Sequence, residues 1–288
     1  MGKISVFLIF TVMLVASGCS GKSKRQNIEV ITLNVRLDTP VDSANAWPNR
    51  ASYVFDYINA VKPDLLGMQE VLLHQYQELD SALTDYTSVG VGRSDGGKGG
   101  EMNPVFFRKE RFDMVRTKTF WLSETPDSAG SMAWGAGLPR IVTWVELVDK
   151  RNHERLYFFN THFAHDSDTA RINSAKLLLM AVDSITGVTP FIVTGDFNMD
   201  ENSEGYSILT GPYESVPLFV DTYTISQRAP QGLTYTFNGF RYEPGDARID
   251  YVFVRNGMKV MEHETPELTD FDIFISDHWP VRTIVSIN

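Results

Sequence analysis

Pro190-Phe191-Ile192-Val193-Thr194-Gly195-Asp196-Phe197-Asn198 is the stretch from which the rest of the chain is read. After the proline come apolar and β-branched residues, the composition of a short buried strand. The strand runs into Gly195 and then into Asp196 and Asn198, which share a face if the backbone stays extended. A carboxylate beside an amide at the end of a buried strand is suited to holding a water or a cation-bound oxygen. The same residues also describe an ordinary polar turn after a core strand, since Asp and Asn are common turn formers.

Outward from this stretch the pattern alternates strands and helices. Strands are predicted over 28–33, 64–68, 105–108, 141–148, 156–160, 249–254 and 281–287, from short apolar, β-branched runs. Helical spacing of apolar residues predicts helices over 50–61, 72–83 and 169–185, the last capped by Asp168. Residues 84–100, rich in Gly, Ser and Asp, read as a loop. Strand after strand ends in a residue able to bind a metal or a phosphate: Asn34, Glu70, Asn160-Thr161-His162, Asp196 and Asn198. Polar groups delivered to one edge by several strands are how sandwich and barrel scaffolds build sites. Asp250 sits in an otherwise apolar strand and, if buried there, needs a partner.

The first 18 residues read as a secretory signal: Lys3, an apolar run too short to span a bilayer stably, then Ala16-Ser17-Gly18. Cys19 directly after them resembles the lipidated cysteine of a bacterial lipoprotein, followed by a polar tether over 19–27. The expectation is an exported protein held to a membrane by acyl chains on Cys19, with the periplasmic face favoured because no acidic cluster follows. Cys19 is the single cysteine, so neither an internal disulfide nor a multi-thiolate metal site can form.

Residues 28–288 show no repeat and no low-complexity break, and they suffice for one domain with a large core. With 26 Lys and Arg against 36 Asp and Glu, the chain carries a formal charge of −10. That balance opposes tight nonspecific binding to nucleic acid. Nothing in the sequence calls for an obligate protein partner, and a monomer is expected.

The set Asn34, Gln69-Glu70-Val71, Thr161-His162, Gly195-Asp196-Phe197-Asn198, Arg248-Ile249-Asp250-Tyr251 and Ser276-Asp277-His278 resembles the endonuclease/exonuclease/phosphatase, or DNase I-like, superfamily. The resemblance runs in order over about 28–287 and extends to a bacterial exported branch through Asn34-Val35-Arg36, Asp42, Asn45, Trp47 and Arg50. It implies a four-layer α/β sandwich, two mixed sheets face to face with helices outside, and a Mg²⁺-dependent (or Mn²⁺-dependent) phosphoester hydrolase. A hard cation suits a site of carboxylates and amides.

By the same resemblance Glu70 holds the metal, with Asn34 beside it directly or through water and Asp277 as a second carboxylate in the metal region. Asp196 activates water and Asn198 positions it. His278, oriented by Asp250, contacts the phosphate. His162 is a second phosphate-side histidine and a candidate proton donor. Arg140, Glu101 and Arg36 are substrate-side residues, with Glu101 orienting His162; Arg36 and Trp47 line a pocket or pack as core. Where related sequences carry Asp, this chain has Ala164, with His165 and Asp166 following, so a substrate contact is displaced. His74, His153 and His263 match no motif and are expected on the surface. Three substrate classes follow: a phosphorylated small molecule such as a sugar phosphate, a lipid head group as in sphingomyelinases, or nucleic acid. The rival of another class is a noncatalytic binding lipoprotein on the same fold.

Overall fold

The computed structural model describes residues 27–211, 219–243, 245, 247–270 and 273–287. The signal segment, Cys19 and the tether up to residue 26 lie outside the described residues. Among the described residues no helix is long and apolar enough to cross a membrane.

Two mixed sheets stack face to face. The first has the strand order 231–232, 258–265, 281–287, 28–34, 65–69, 105–108, 86–89; the second runs 112–121, 141–149, 155–162, 191–196, 250–255, 220–221. Each contains a parallel pair, Ile28–Asn34 with Leu65–Gln69 and Arg155–His162 with Phe191–Asp196. The parallel pairs are joined through helices, Trp47–Val61 and Asp168–Thr186, because a parallel connection must cross over the sheet. Apolar side chains then fill three interfaces. Val54 and Ile58 pack under the first sheet's outer face, Leu178 and Val182 under the second's, and Val30, Leu65, Phe158 and Ile192 meet between the sheets. This is the four-layer sandwich.

The inter-sheet face carries a gradient that places the site. Along one strand the inward residues are Ile28, Val30, Thr32, Asn34; along others they are Leu65, Gly67, Gln69; Leu156, Phe158, Asn160, His162; and Ile192, Thr194, Asp196. With side chains alternating along a strand, each series passes from apolar core, through a hydroxyl-and-amide layer, to the charged edge. In the middle layer Gln69 Nε2 donates to Asn160 Oδ1 at 2.7 Å and to Thr32 Oγ1 at 3.0 Å. Asn160 Nδ2 donates to the Met68 and Pro104 carbonyls, and Thr194 Oγ1 donates to Asn160 Oδ1. Asn160 is therefore a fully buried tie between the sheets, not a site residue. Thr161 likewise donates to the Ile141 carbonyl, so of the Asn-Thr-His run only His162 reaches the site.

Gly67 belongs to this layer because a Cβ there would lie 2.2 Å from Thr194 Oγ1 and 2.6 Å from Asn160 Oδ1. Gly67→Ala is expected to destabilise the protein by about 3 kcal/mol, through overpacking and loss of buried hydrogen bonds, measured by urea unfolding.

Several local expectations are corrected. The helix over 168–186 is capped by Ser167, whose Oγ accepts from Ala170 N–H, while Asp168 is the first helical residue. Within 84–100, Tyr86–Val89 forms an edge strand. The strands Phe112–Trp121 and Met258–Thr265 lack the short apolar signal, since residues 113–118 of the first are all exposed and the second alternates buried with half-buried residues. His263 is not on the surface. It is 2% exposed, pairs through Nδ1 with Thr222 Oγ1, and burial lowers its pKa to about 4. Trp47 is core, with its indole N–H on Glu78.

Candidate active site

The site lies where the parallel strands end and two antiparallel neighbours begin. Asn34, Glu70, His162 and Asp196 sit at or just past strand C-termini; Asp250 opens the strand that pairs with 191–196, directly opposite Asp196. Asp277 and His278 precede the strand Val281–Ile287. Three exits turn through the left-handed region at non-glycine residues: Arg36 (φ 58°), Glu70 (φ 61°) and Asn198 (φ 50°). Backbone held this way costs about 1–3 kcal/mol per residue and collects at functional sites.

Asp196 is the hub. Its Oδ2 accepts from Asn34 Nδ2 at 3.0 Å, and its Oδ1 accepts from the Asn198 backbone N–H at 2.9 Å. His162 Nε2 stands 3.4 Å from Oδ2 and His278 Nε2 3.8 Å. Burial and the neighbouring Asp250 charge raise its pKa to about 7, although His278 and these hydrogen bonds pull the other way. A carboxylate poised near neutrality is what a general base requires.

The two histidines differ sharply. His278 Nδ1 donates to Asp250 Oδ2 at 2.8 Å. Burial opposes its charge, but Asp250 and Asp196 outweigh burial and hold the imidazole protonated well above its usual pKa. His162 is pushed the other way by burial and by Arg140 and Arg93. Its Nε2 accepts from Asn198 Nδ2 at 2.9 Å. Burial and the two guanidinium groups thus disfavour the imidazolium form of His162. Glu101 does not orient it: that carboxylate is held by Arg93 in a two-pronged pair at 2.6 and 2.8 Å.

Arg140 is buried on the cleft wall, with Nη2 against His165 Nδ1 at 2.9 Å. After Ala164, His165 contacts Arg140 and Asp166 accepts the Gly137 N–H. Arg36 is clamped by Asp42 at 2.9 and 3.1 Å and stands 3.9 Å from Glu70 and 3.7 Å from Asp277. Its guanidinium separates the two carboxylates that sequence reasoning assigned to one metal. Arg50 ties the loop down, donating to the carbonyls of Val35, Arg36, Asn45 and Ile275.

Among the described residues, two groups offer ligand atoms within 4.8 Å of one another: Glu70, His162 and Asp196, and Asp196, Asp250 and His278. The second is spent, because Asp250 and a protonated His278 already pair and an imidazolium cannot ligate. The first fits a divalent cation. Glu70 and Asp196 face each other across one Asn34 amide nitrogen, which donates to both at 3.0 Å. That nitrogen has two carboxylate acceptors, and Asn34 Oδ1 accepts the Arg36 N–H, so Asn34 ties Glu70 to Asp196. Burial and Glu70 also raise the Asp277 pKa, a crowding of negative charge that a cation relieves.

These groups line a cleft of about 780 Å³, with Leu138 and Phe237 at its margin. Arg93, Leu138 and Phe237 carry no motif of their own and were not legible before the fold assembled.

A sandwich that brings paired carboxylates, a charged imidazole and an arginine to one edge defines a site for handling phosphate esters. The endonuclease/exonuclease/phosphatase family model matches residues 31–278, and the chain belongs to that family, whose members are generally hydrolytic and act on phosphoesters. It is 36% identical to an endonuclease/exonuclease/phosphatase from Bacteroides vulgatus, with TM-score 0.87 over 91% of this chain and 100% of that one. It is 32% identical to the mannosyl-6-phosphatase Bt3783 of Bacteroides thetaiotaomicron, with TM-score 0.84 over 90% and 100%. An uncharacterized protein of Acanthamoeba polyphaga mimivirus is 26% identical over 89% of this chain and 99% of its own length.

Proposed function

We propose that this protein is a divalent-metal-dependent phosphomonoesterase acting on a phosphorylated sugar. The observation that carries the hydrolytic reading is Asp196, a buried carboxylate held near neutrality between two imidazoles of opposite charge state. Asp196 accepts the proton of the attacking water, and Asn198 and His162 lock each other beside it. The imidazolium of His278 and the guanidinium of Arg140 supply positive charge to the phosphoryl oxygens. Glu70, with Asn34 beside it directly or through water, would hold Mg²⁺ or Mn²⁺, which when bound neutralises phosphate charge and stabilises the leaving oxygen, while Asp196 stays free to act as the base. Arg36, pinned by Asp42, contacts the substrate from the opposite side.

The sugar-phosphate reading is supported by the mannosyl-6-phosphatase at 32% identity, by the acidic chain, and by a cleft within the about 300–1,000 Å³ of small-molecule sites. Export and anchoring through Cys19 belong to the same proposal; Cys19→Ser is expected to move the protein from the membrane fraction to the soluble one. The test is product release by the domain from residue 27 onward: inorganic phosphate from mannose 6-phosphate, phosphocholine from sphingomyelin and oligonucleotides from duplex DNA. Chelator is expected to abolish turnover of the sugar phosphate, and Mg²⁺ in excess to restore it. Turnover confined to the lipid or the DNA would reject the sugar-phosphate reading; no chelator-sensitive turnover on any member would reject the esterase.

A further inference from the structure

Exposed apolar groups gathered at a cleft and rimmed by polar residues mark ligand-binding grooves. Among the described residues, Leu138 is 40% exposed and Phe237 47% exposed, and both line the cleft above Asp196. They come from different loops and both are rigidly mounted. Phe237 bridges by backbone to His278, its ring lying 5.1 Å from the imidazole in an edge-on contact. Its neighbours are stitched to the same segment: Asn238 and Gly239 N–H donate to the Asp277 carbonyl at 2.8 and 3.0 Å, and Trp279 N–H donates to the Thr236 carbonyl at 2.7 Å.

Leu138 follows Gly137, whose N–H is held by Asp166 at 2.9 Å and whose Cβ, if added, would lie 2.5 Å from that carboxylate. Ser167 fixes the same loop through the Trp134 carbonyl. Two residues further on is Arg140. Each exposed apolar group is thus fastened next to a residue that faces the phosphate, while contributing nothing to a core.

We infer that Leu138 and Phe237 form an apolar seat for the ring of the leaving group, selecting a cyclic sugar over an acyclic alcohol on the same phosphate. This rests on the phosphomonoesterase reading above. A pyranose carries hydroxyls around its rim but C–H groups on its faces, and an aromatic ring packs against such a face. Glycerol phosphate offers the same primary ester without a face to cover. The charged floor binds the phosphate of both, so discrimination falls to the rim. Pocket contacts of this size separate substrates by about 10–200-fold.

The experiment measures kcat and KM for mannose 6-phosphate and glycerol 3-phosphate, with wild type, Phe237→Ala, Phe237→Tyr and Leu138→Ala. The preference for the hexose ester is expected to fall about tenfold in Phe237→Ala and about threefold in Leu138→Ala, mainly through KM. Phe237→Tyr should retain it. Melting temperatures should stay within about 2 °C of wild type, because neither side chain is in the core. Equal losses on both esters would assign Phe237 to supporting His278 and overturn the inference, leaving the esterase intact. Unchanged hexose kinetics with lost binding to phosphatidylglycerol vesicles would assign the pair to a lipid surface and also overturn it. Wild-type failure on both esters would remove the underlying reading, and the seat with it.

Discussion

Asp196→Ala is expected to lower kcat by about 10²–10⁴-fold on any ester the protein hydrolyses, the range lost with a positioned general base. The residue has no understudy. Glu70 lies on the far side of the Asn34 amide, and Asp250 is committed to His278. Substrate affinity should change less than kcat, since the phosphate is met by His278 and Arg140 on other elements. Steady-state kinetics with both parameters resolved check this; a variant that keeps more than a tenth of wild-type kcat would exclude Asp196 as the base.

The same carboxylate makes a prediction about stability. In the folded protein its pKa is about 7, against 3.8 for an ordinary aspartate. A raised folded pKa means that the folded state holds the proton more tightly. Its stabilising contribution is complete below about pH 4 and is lost as pH rises through about 7. In chelator, Asp196→Asn should therefore melt higher than wild type at pH 8, by roughly 2–4 °C for each kcal/mol recovered, and the gain should vanish by pH 4. Stability traded for a charged site is a common pattern in enzymes.

Asp250→Asn should be nearly as damaging to turnover, about 10²-fold or more in kcat, although Asp250 stands behind His278. Its charge and its 2.8 Å hydrogen bond are the chief reasons a buried imidazole stays protonated. With a neutral amide in its place, burial wins and His278 loses its proton near neutrality. The positive charge facing the phosphoryl group disappears without any change in shape. Histidine NMR separates this from a packing defect. The His278 signal should titrate well above the usual histidine range in wild type and at a clearly lower pH in the variant. A variant whose His278 titrates as in wild type would show that Asp196 alone sustains the charge.

Much of this site was legible before the fold was known, for a local reason. Strand periodicity places Asp196 and Asn198 at the end of a buried run, and Asp250 inside an apolar strand demands a partner whether or not that partner is named. The pairing of Asp250 with His278 followed from that demand and the family's motif order. Other assignments failed because they depended on what lies across the inter-sheet space. Asn160 has the same sequence context as His162 two residues later, yet one lies in the amide layer and the other at the edge. Glu101 precedes a strand as expected, but Arg93, eight residues earlier, reaches it first. His263 carries no pattern distinguishing a surface histidine from one buried under Tyr223 and Thr222.

The sequence by itself determined the principal buried strands and the long helices, the restriction of thiol chemistry to Cys19, and the residue types at the strand ends. Those properties are set by alternation, local turn chemistry and composition, each within a few residues. The tertiary structure alone decided the charge states and the division of labour: a neutral His162, a charged His278, Asp196 near neutrality, Asn34 as a bridge, and Arg36 between Glu70 and Asp277. Desolvation and Coulomb interactions act over several ångströms between groups as far apart in sequence as Asn34 and Asp196. No local pattern carries that information until the two sheets close on each other.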